Sequence, residues 1–266
     1  MRVILFTNAR DEKHIKEWVA HHLNLGFDFI HIFDHESIEP IISQFKPNNK
    51  LRIQNISGDI NIKKECMNIA ITIAKQKKYE WMIYLDADEF LIINKHSNVK
   101  DLLNDYLNFN QVGLNWVFFG SNYLSQDPPG MMLENYIRCN MKINKHIKCF
   151  VKPNDIISIH NAHVYETNKN KKSISCYNLI PLNIKEPWFM SIPDKNYSEV
   201  PAYIAHYINQ SYDNYVKRRL KRKRDDLSAL AKRYSENELH NIDNDIINTE
   251  VRDKYCEKNA ELMKTL

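Results

Sequence analysis

The apolar positions in the first third of the chain fall into short runs separated by amphipathic stretches. Residues 2–8 open with such a run, Val3-Ile4-Leu5-Phe6, and predict a buried strand. Over residues 12–25, Ile15, Trp18, Val19, His22 and Leu23 recur at the spacing of one helix face, and Gly26 ends the pattern. Residues 27–33 predict a second strand, closing at Asp34-His35-Glu36-Ser37. A third covers 51–56; Gly58 follows, then a helix with Cys66, Ile69, Ala70, Ile73 and Ala74 on one side. Residues 81–85 supply a fourth strand. This alternation predicts an α/β fold with a mostly parallel sheet, helices on its faces and right-handed crossovers.

Past residue 90 the periodicity loosens. A short helix is expected over 98–108, a strand over 112–119, a loop around Pro128-Pro129-Gly130, helix over 132–139, and strands over 147–152 and 156–165. Residues 167–200 are polar and proline-punctuated and read as an irregular excursion. From Ser211 onward a helical stripe of Tyr212, Val216, Leu220, Leu227, Leu230 and Tyr234 runs through a charged surface. The expected organisation is a sheet-based catalytic domain over 1–210 and a helical C-terminal extension over 211–266.

Composition narrows the class. With 266 residues, 43% hydrophobic and 26% charged, the chain can bury a sizeable core. No apolar run approaches the length of a membrane span, and the first strand turns polar at Thr7-Asn8, early for a signal peptide. Five scattered cysteines without a CxxC pair fit a reducing compartment, so the expectation is a cytoplasmic protein. Five glycines and the absence of GxGxxG and GxxxxGK[ST] argue against a dinucleotide fingerprint and a P-loop. Residues 217–226 hold seven basic and two acidic side chains, so the net charge of +4 belongs to that stretch and the rest is about −1. The run reads as a solvated helix face, or as a patch docking peripherally on an anionic membrane. Nucleic acid is not expected, because no binding motif accompanies it.

The chemistry concentrates at Tyr84-Leu85-Asp86-Ala87-Asp88-Glu89-Phe90, where a buried strand ends in three carboxylates within four residues. In an extended segment Asp86 and Asp88 would share one face. Carboxylates that close repel unless a cation lies between them, and hard ions such as Mn2+ or Mg2+ suit oxygen ligands. A solvated turn or a helix cap is the plainer alternative. In open α/β sheets ligands bind beyond the carboxyl ends of the strands, where this cluster would lie.

Five boxes in series resemble the family-2-like and family-92-like glycosyltransferases. They are Glu17-Trp18-Val19-Ala20-His21-His22 leading to Gly26-Phe27-Asp28 and Ile32-Phe33-Asp34-His35-Glu36-Ser37; Leu85-Asp86-Ala87-Asp88-Glu89-Phe90; Asn115-Trp116-Val117-Phe118-Phe119-Gly120-Ser121; Lys148 to Pro153 with His163; and His206-Tyr207 with Ser211 and Lys217. The resemblance implies a GT-A fold, a UDP-sugar donor, a divalent metal (Mn2+, or Mg2+), and transfer of a hexose, galactose leading, to a glycan or glycoconjugate hydroxyl with inversion. It implies Asp88 as direct metal ligand with Asp86, and a third ligand from His163, His206 being next. Donor contacts would come from Thr7, Asn8, Arg10, Asp34, Asp86, His206, Ser211 and Lys217, with Arg218 beside them. Glu134 and Asp127 are the carboxylates available as base. Trp116, Phe119, Gly120 and Ser121 would form the acceptor surface. Trp18, on a helix's apolar stripe, reads as core. Two departures stand out: Ala9-Arg10-Asp11-Glu12 where the family has Lys-Asn-Glu, and Gln210 where a basic residue is common. The competing readings are a metal-dependent phosphoesterase or nuclease using the same carboxylates, and a nucleic-acid-binding protein acting through the basic run.

Overall fold

The computed structural model describes residues 1–58, 62–168, 172–177, 179, 181, 195–221 and 234–266, the side chains of 219–221 excepted. Strand β1 (Val3–Ala9) is buried almost throughout because both faces of the sheet are covered. Its residues alternate between two cores: Val3 and Leu5 pack with Trp18, Leu25 and Trp81, whereas Ile4 and Phe6 pack with Cys66, Ala70 and Tyr84. Helix α1 (Ile15–Asn24) follows and stops where Gly26 takes φ +90°, a left-handed conformation that glycine adopts without a Cβ penalty. Next come β2 (Phe29–His35), β3 (Leu51–Ile56), α2 (Ile62–Gln76), β4 (Trp81–Tyr84), β5 (Glu89–Ile93), α3 (Val99–Asn104), β6 (Gln111–Phe118) and α4 (Met132–Asn135). The chain continues through β7 (Arg138–Cys139), β8 (Ile147–Val151), β9 (Ile156–Ile159), β10 (Tyr165–Thr167), β11 (Ser173–Ser175) and β12 (Ala202–His206). It closes with α5 (Tyr212–Tyr215), which runs into a π-helical turn over Val216–Lys221, then α6 (Glu236–His240), β13 (Ile246–Ile247) and α7 (Glu250–Met263).

The main sheet has the order β3-β2-β1-β4-β8-β6-β12-β5. β1 to β4 are mutually parallel; β8 then runs antiparallel to both β4 and β6, and β5 antiparallel to β12. β6 pairs in parallel with β11 along Gln111–Gly113 and with β12 along Trp116–Phe118. The expected α/β class with a mostly parallel sheet is therefore what the chain adopts, with an antiparallel insertion in its second half.

Among the described residues no strand neighbours the outer edge of β5, and side chains from two helices line it. Trp18 Nε1 donates to the Glu89 carbonyl at 2.7 Å, His21 Nε2 binds the Leu91 carbonyl at 2.8 Å, and the Leu91 amide donates to His22 Nε2 at 3.3 Å. From α7, Lys254 Nζ donates to the Ile93 carbonyl and the Ile93 amide reaches the Tyr255 hydroxyl. Trp18 is thus core, as its position on the apolar stripe predicts, and also a hydrogen-bond donor.

Five expectations need correction, the first being that 156–165 is not one strand but runs from β9 into its antiparallel partner β10. Helix covers only Met132–Asn135 of 132–139, because Arg138–Cys139 leaves to pair with β13. Within the expected irregular excursion, Ser173–Ser175 forms a strand because β6 offers it an edge. The chain after Ser211 is not continuous helix but short helices and a strand, ending in α7, which packs against α1. Asp86 and Asp88 are brought together by a turn, not by strand alternation: Glu89 N donates to Asp86 O at 3.0 Å, i to i+3. Residues 182–194 and the stripe residues Leu227 and Leu230 lie outside the described residues, as does the side chain of Leu220. So do the side chains of the basic run beyond Arg218.

Candidate active site

The turn after β4 is closed from both sides. Glu89 Oε2 accepts from the Asp86 amide at 2.8 Å and faces Lys148 Nζ at 3.4 Å. Lys148, from β8, is fully buried and also holds Asp86 Oδ2 at 3.2 Å, while Lys63 from the first turn of α2 binds Asp86 Oδ1. Burial opposes ionisation of Asp86, but Lys148 and Lys63 outweigh it and keep the carboxyl well below its usual range. Glu89, wholly buried, is pushed by burial up to about 7 despite Lys148.

Asp88 is 7% exposed and its two oxygens have different neighbours. Arg218 Nη2, from the π-helical turn, donates to Oδ2 at 3.1 Å and also reaches Glu12 Oε1 at 3.2 Å. Oδ1 faces His206 Nε2, at the end of β12, across 3.6 Å. Burial again resists the charge, and Arg218 and His206 hold Asp88 below the ordinary carboxylate range. His206 Nδ1 and Glu89 Oε1, 3.9 Å apart, are both buried without a hydrogen-bond partner.

Among the described residues no three His, Cys, Asp or Glu side chains are grouped to hold a metal ion alone. The donor types nevertheless fit a hard divalent ion that completes its shell with phosphate oxygens and water. Asp88 Oδ1 and His206 Nε2 are too far apart for a hydrogen bond and offer a carboxylate and an imidazole, with Arg218 fixing the other oxygen. Asp86 has both oxygens engaged by lysines. Among the described residues His163 is not grouped with Asp86 and Asp88 as a metal site; its Nδ1 binds the Ile147 carbonyl at 2.8 Å.

The remaining predicted residues sort by exposure. At the carboxyl ends of β2 and β3, Asp34, Asn55 and Ser57 line a cavity of about 270 Å3. Asp34 also accepts from the Ser37 and Ile41 amides. Arg10 lies on the same rim, donating to the His35 carbonyl at 2.6 Å and to Glu36. Asn8 is half-buried and accepts from the Tyr84 hydroxyl, but Thr7 is fully buried and its hydroxyl turns to the Asn8 carbonyl. Ser211 is buried as the cap of α5, accepting from the Asn214 amide; Lys217 is exposed and lines a second cavity.

The expected acceptor surface is corrected by packing. Phe119, Gly120 and Ser121 are buried, Ser121 Oγ bonding His240 Nδ1 at 2.7 Å. Trp116 is 8% exposed; His146 stacks on it at 5.0 Å and 14°, and His206 meets it at 4.4 Å, so it is no open platform. Glu134 is exposed on α4, whereas Asp127 lines the second cavity with Glu12, His14 and Arg218. Lys63, Lys148 and Glu12 had no role assigned from sequence. Lys148 carried a signal, as the one charge inside Ile147–Val151, since a charge in an apolar strand needs a partner.

Residues 4–249 match glycosyltransferase family 92. The chain belongs to that family. No curated protein matches this family-92 chain. Solved structures similar to it include residues 1–349 of S. aureus TarS, at 15% identity and TM-score 0.37 over 64% of this chain and 52% of that one. HddC from Yersinia pseudotuberculosis aligns at 10% identity and TM-score 0.37, over 65% and 83% of the two chains. A UDP-glucose pyrophosphorylase complexed with UDP-glucose aligns at 12% identity and TM-score 0.33, over 58% and 77%. The family-92 glycosyltransferase thus spans about half the length of the TarS fragment.

Proposed function

We propose that this family-92 glycosyltransferase moves a hexose, galactose leading, from a UDP-sugar to a glycan or glycoconjugate hydroxyl, with inversion, and that it uses Mn2+ or Mg2+. The observation that carries the reading is the divided Asp88 carboxylate, with Oδ2 held by Arg218 and Oδ1 facing His206 across 3.6 Å. Asp88 and His206 would hold the ion, with Asp86 beside them, and the ion would offset negative charge growing on the leaving diphosphate. Lys63 and Arg218 add fixed positive charge around the same turn, and Lys148 orients Asp86 from below. Asp34 and Arg10 mark the rim assigned to the nucleoside. The acceptor oxygen forms its bond to the anomeric carbon as that carbon's bond to the diphosphate oxygen breaks, and the hydroxyl proton passes to a carboxylate. Of the two carboxylates expected from the sequence, Asp127 takes that role, because it lines the cavity next to Arg218 and Glu134 does not.

Calorimetric titration tests the proposal. UDP should bind at least tenfold more tightly with Mn2+ than with chelator present, and Asp88→Asn should remove that difference. UDP binding that ignores the metal, or no nucleotide binding under any metal, refutes it.

A further inference from the structure

Arg218 stands between two carboxylates, and one of its nitrogens serves both: Nη2 donates to Glu12 Oε1 at 3.2 Å and to Asp88 Oδ2 at 3.1 Å. Burial works against the guanidinium charge, and Glu12 and then Asp88 more than restore it, so the group stays ionised. One positive charge thus answers two negative ones beside the turn that carries Asp86 and Asp88. Were Glu12 neutral, Arg218 would close on Asp88 alone. A divalent ion arriving at Oδ1 would then meet a carboxylate whose charge is already cancelled.

The two ends of this contact are built differently. Glu12 follows Asp11, which takes φ +49°, an uncommon conformation for a residue with a side chain. That turn is pinned: the Asp11 amide donates to Ser37 Oγ at 3.0 Å, and Asp11 Oδ1 accepts from the Ile38 amide at 2.7 Å. The Glu12 carbonyl in turn accepts from the Ile15 amide at the start of α1. Arg218, by contrast, hangs from a π-helical turn, a rare form that is frequent at functional sites. Glu12 is therefore the fixed post, and Arg218 the long side chain that it steers. Both side chains keep accessible surface and line the second cavity.

We propose that Glu12 is a positioning residue: by taking a share of Arg218 it keeps Asp88 open to a divalent cation, and so sets how strongly that cation and the nucleotide favour each other. The assignment rests on the metal-dependent donor reading above for its consequence, and on the shared guanidinium alone for its chemistry. Calorimetry on the full chain, with Mn2+ or with chelator, measures that coupling. Glu12→Gln should cut the gain in UDP affinity given by Mn2+ about fivefold, while UDP affinity in chelator and Tm hold. Glu12→Asp should recover most of the gain, and on an Arg218→Gln background Glu12→Gln should alter it by less than about twofold. Mn2+ titrated without nucleotide, read by its paramagnetic resonance, should bind Glu12→Gln about fivefold more weakly than wild type. A Glu12→Gln chain that loses UDP affinity alike in Mn2+ and in chelator, or that takes Mn2+ as tightly as wild type, overturns the proposal. So does an effect of Glu12→Gln that survives whole on the Arg218→Gln background. If wild-type UDP binding ignores the metal but Glu12→Gln still weakens Mn2+ alone, the positioning role stands and the donor reading falls.

Discussion

Lys148 is fully buried, and among the described residues its charge is met by the pair of carboxylates it holds, Asp86 and Glu89. Burial alone would lower its pKa; the two acids raise it instead. Lys148→Met should therefore leave Glu89 facing an apolar side chain and Asp86 with one lysine fewer. Unfolding in urea should show a loss of about 3–5 kcal/mol, the usual result of removing one partner of a buried pair. A change under 1 kcal/mol would mean the network is not what holds the turn. The importance of Asp86 and Asp88 was legible in the sequence, since three carboxylates at a strand end need cations. Which cations they meet was not. Lys63, Lys148, Arg218 and His206 come from α2, β8, the π-helical turn and β12, and only the folded sheet order brings them to one turn. For the same reason the choice between His163 and His206 could not be made from spacing.

At the level of elements, strands and helices up to β4 followed the hydrophobic pattern because each is local. The sealing of β5 did not, because it depends on helices distant in sequence. His21 and His22 must be neutral to serve there: His22 Nε2 accepts from Leu91 N, and His21 Nδ1 faces the Asn259 side-chain amide. Burial lowers His21 to about 4 and also holds His22 well below its ordinary value. As pH falls below 6.5 the unfolded chain takes up protons that the folded rings refuse until about 4, so the histidines' contribution is whole above 6.5 and shrinks between 6.5 and 4. His21→Gln, which keeps a donor for the Leu91 carbonyl, should flatten the decline in stability over that window by about 1 kcal/mol per pH unit. Denaturation midpoints at pH 7 and pH 5 decide it; parallel slopes would show that His21 titrates normally.

Across the whole molecule, the C-terminal segment returns to fix the end of β6. A Cβ on Gly120 would come within 2.5 Å of the Asp243 carbonyl and 2.6 Å of Asn244, so the glycine marks a close approach of two chain segments. Gly120→Ala should destabilise by about 1–3 kcal/mol, lowering Tm by about 2–4 °C per kcal/mol, with UDP affinity unchanged. Loss of UDP binding at an unchanged Tm would instead place Gly120 in the donor site. Glu89 joins these scales, since its side chain braces the turn that carries Asp86 and Asp88 while its carbonyl receives the Trp18 indole. The flank of the protein and its chemical centre are thus two ends of one amino acid. An alteration beneath α1, far from any sugar, has a direct mechanical line to the carboxylates, and distance from the cleft is no guarantee of silence.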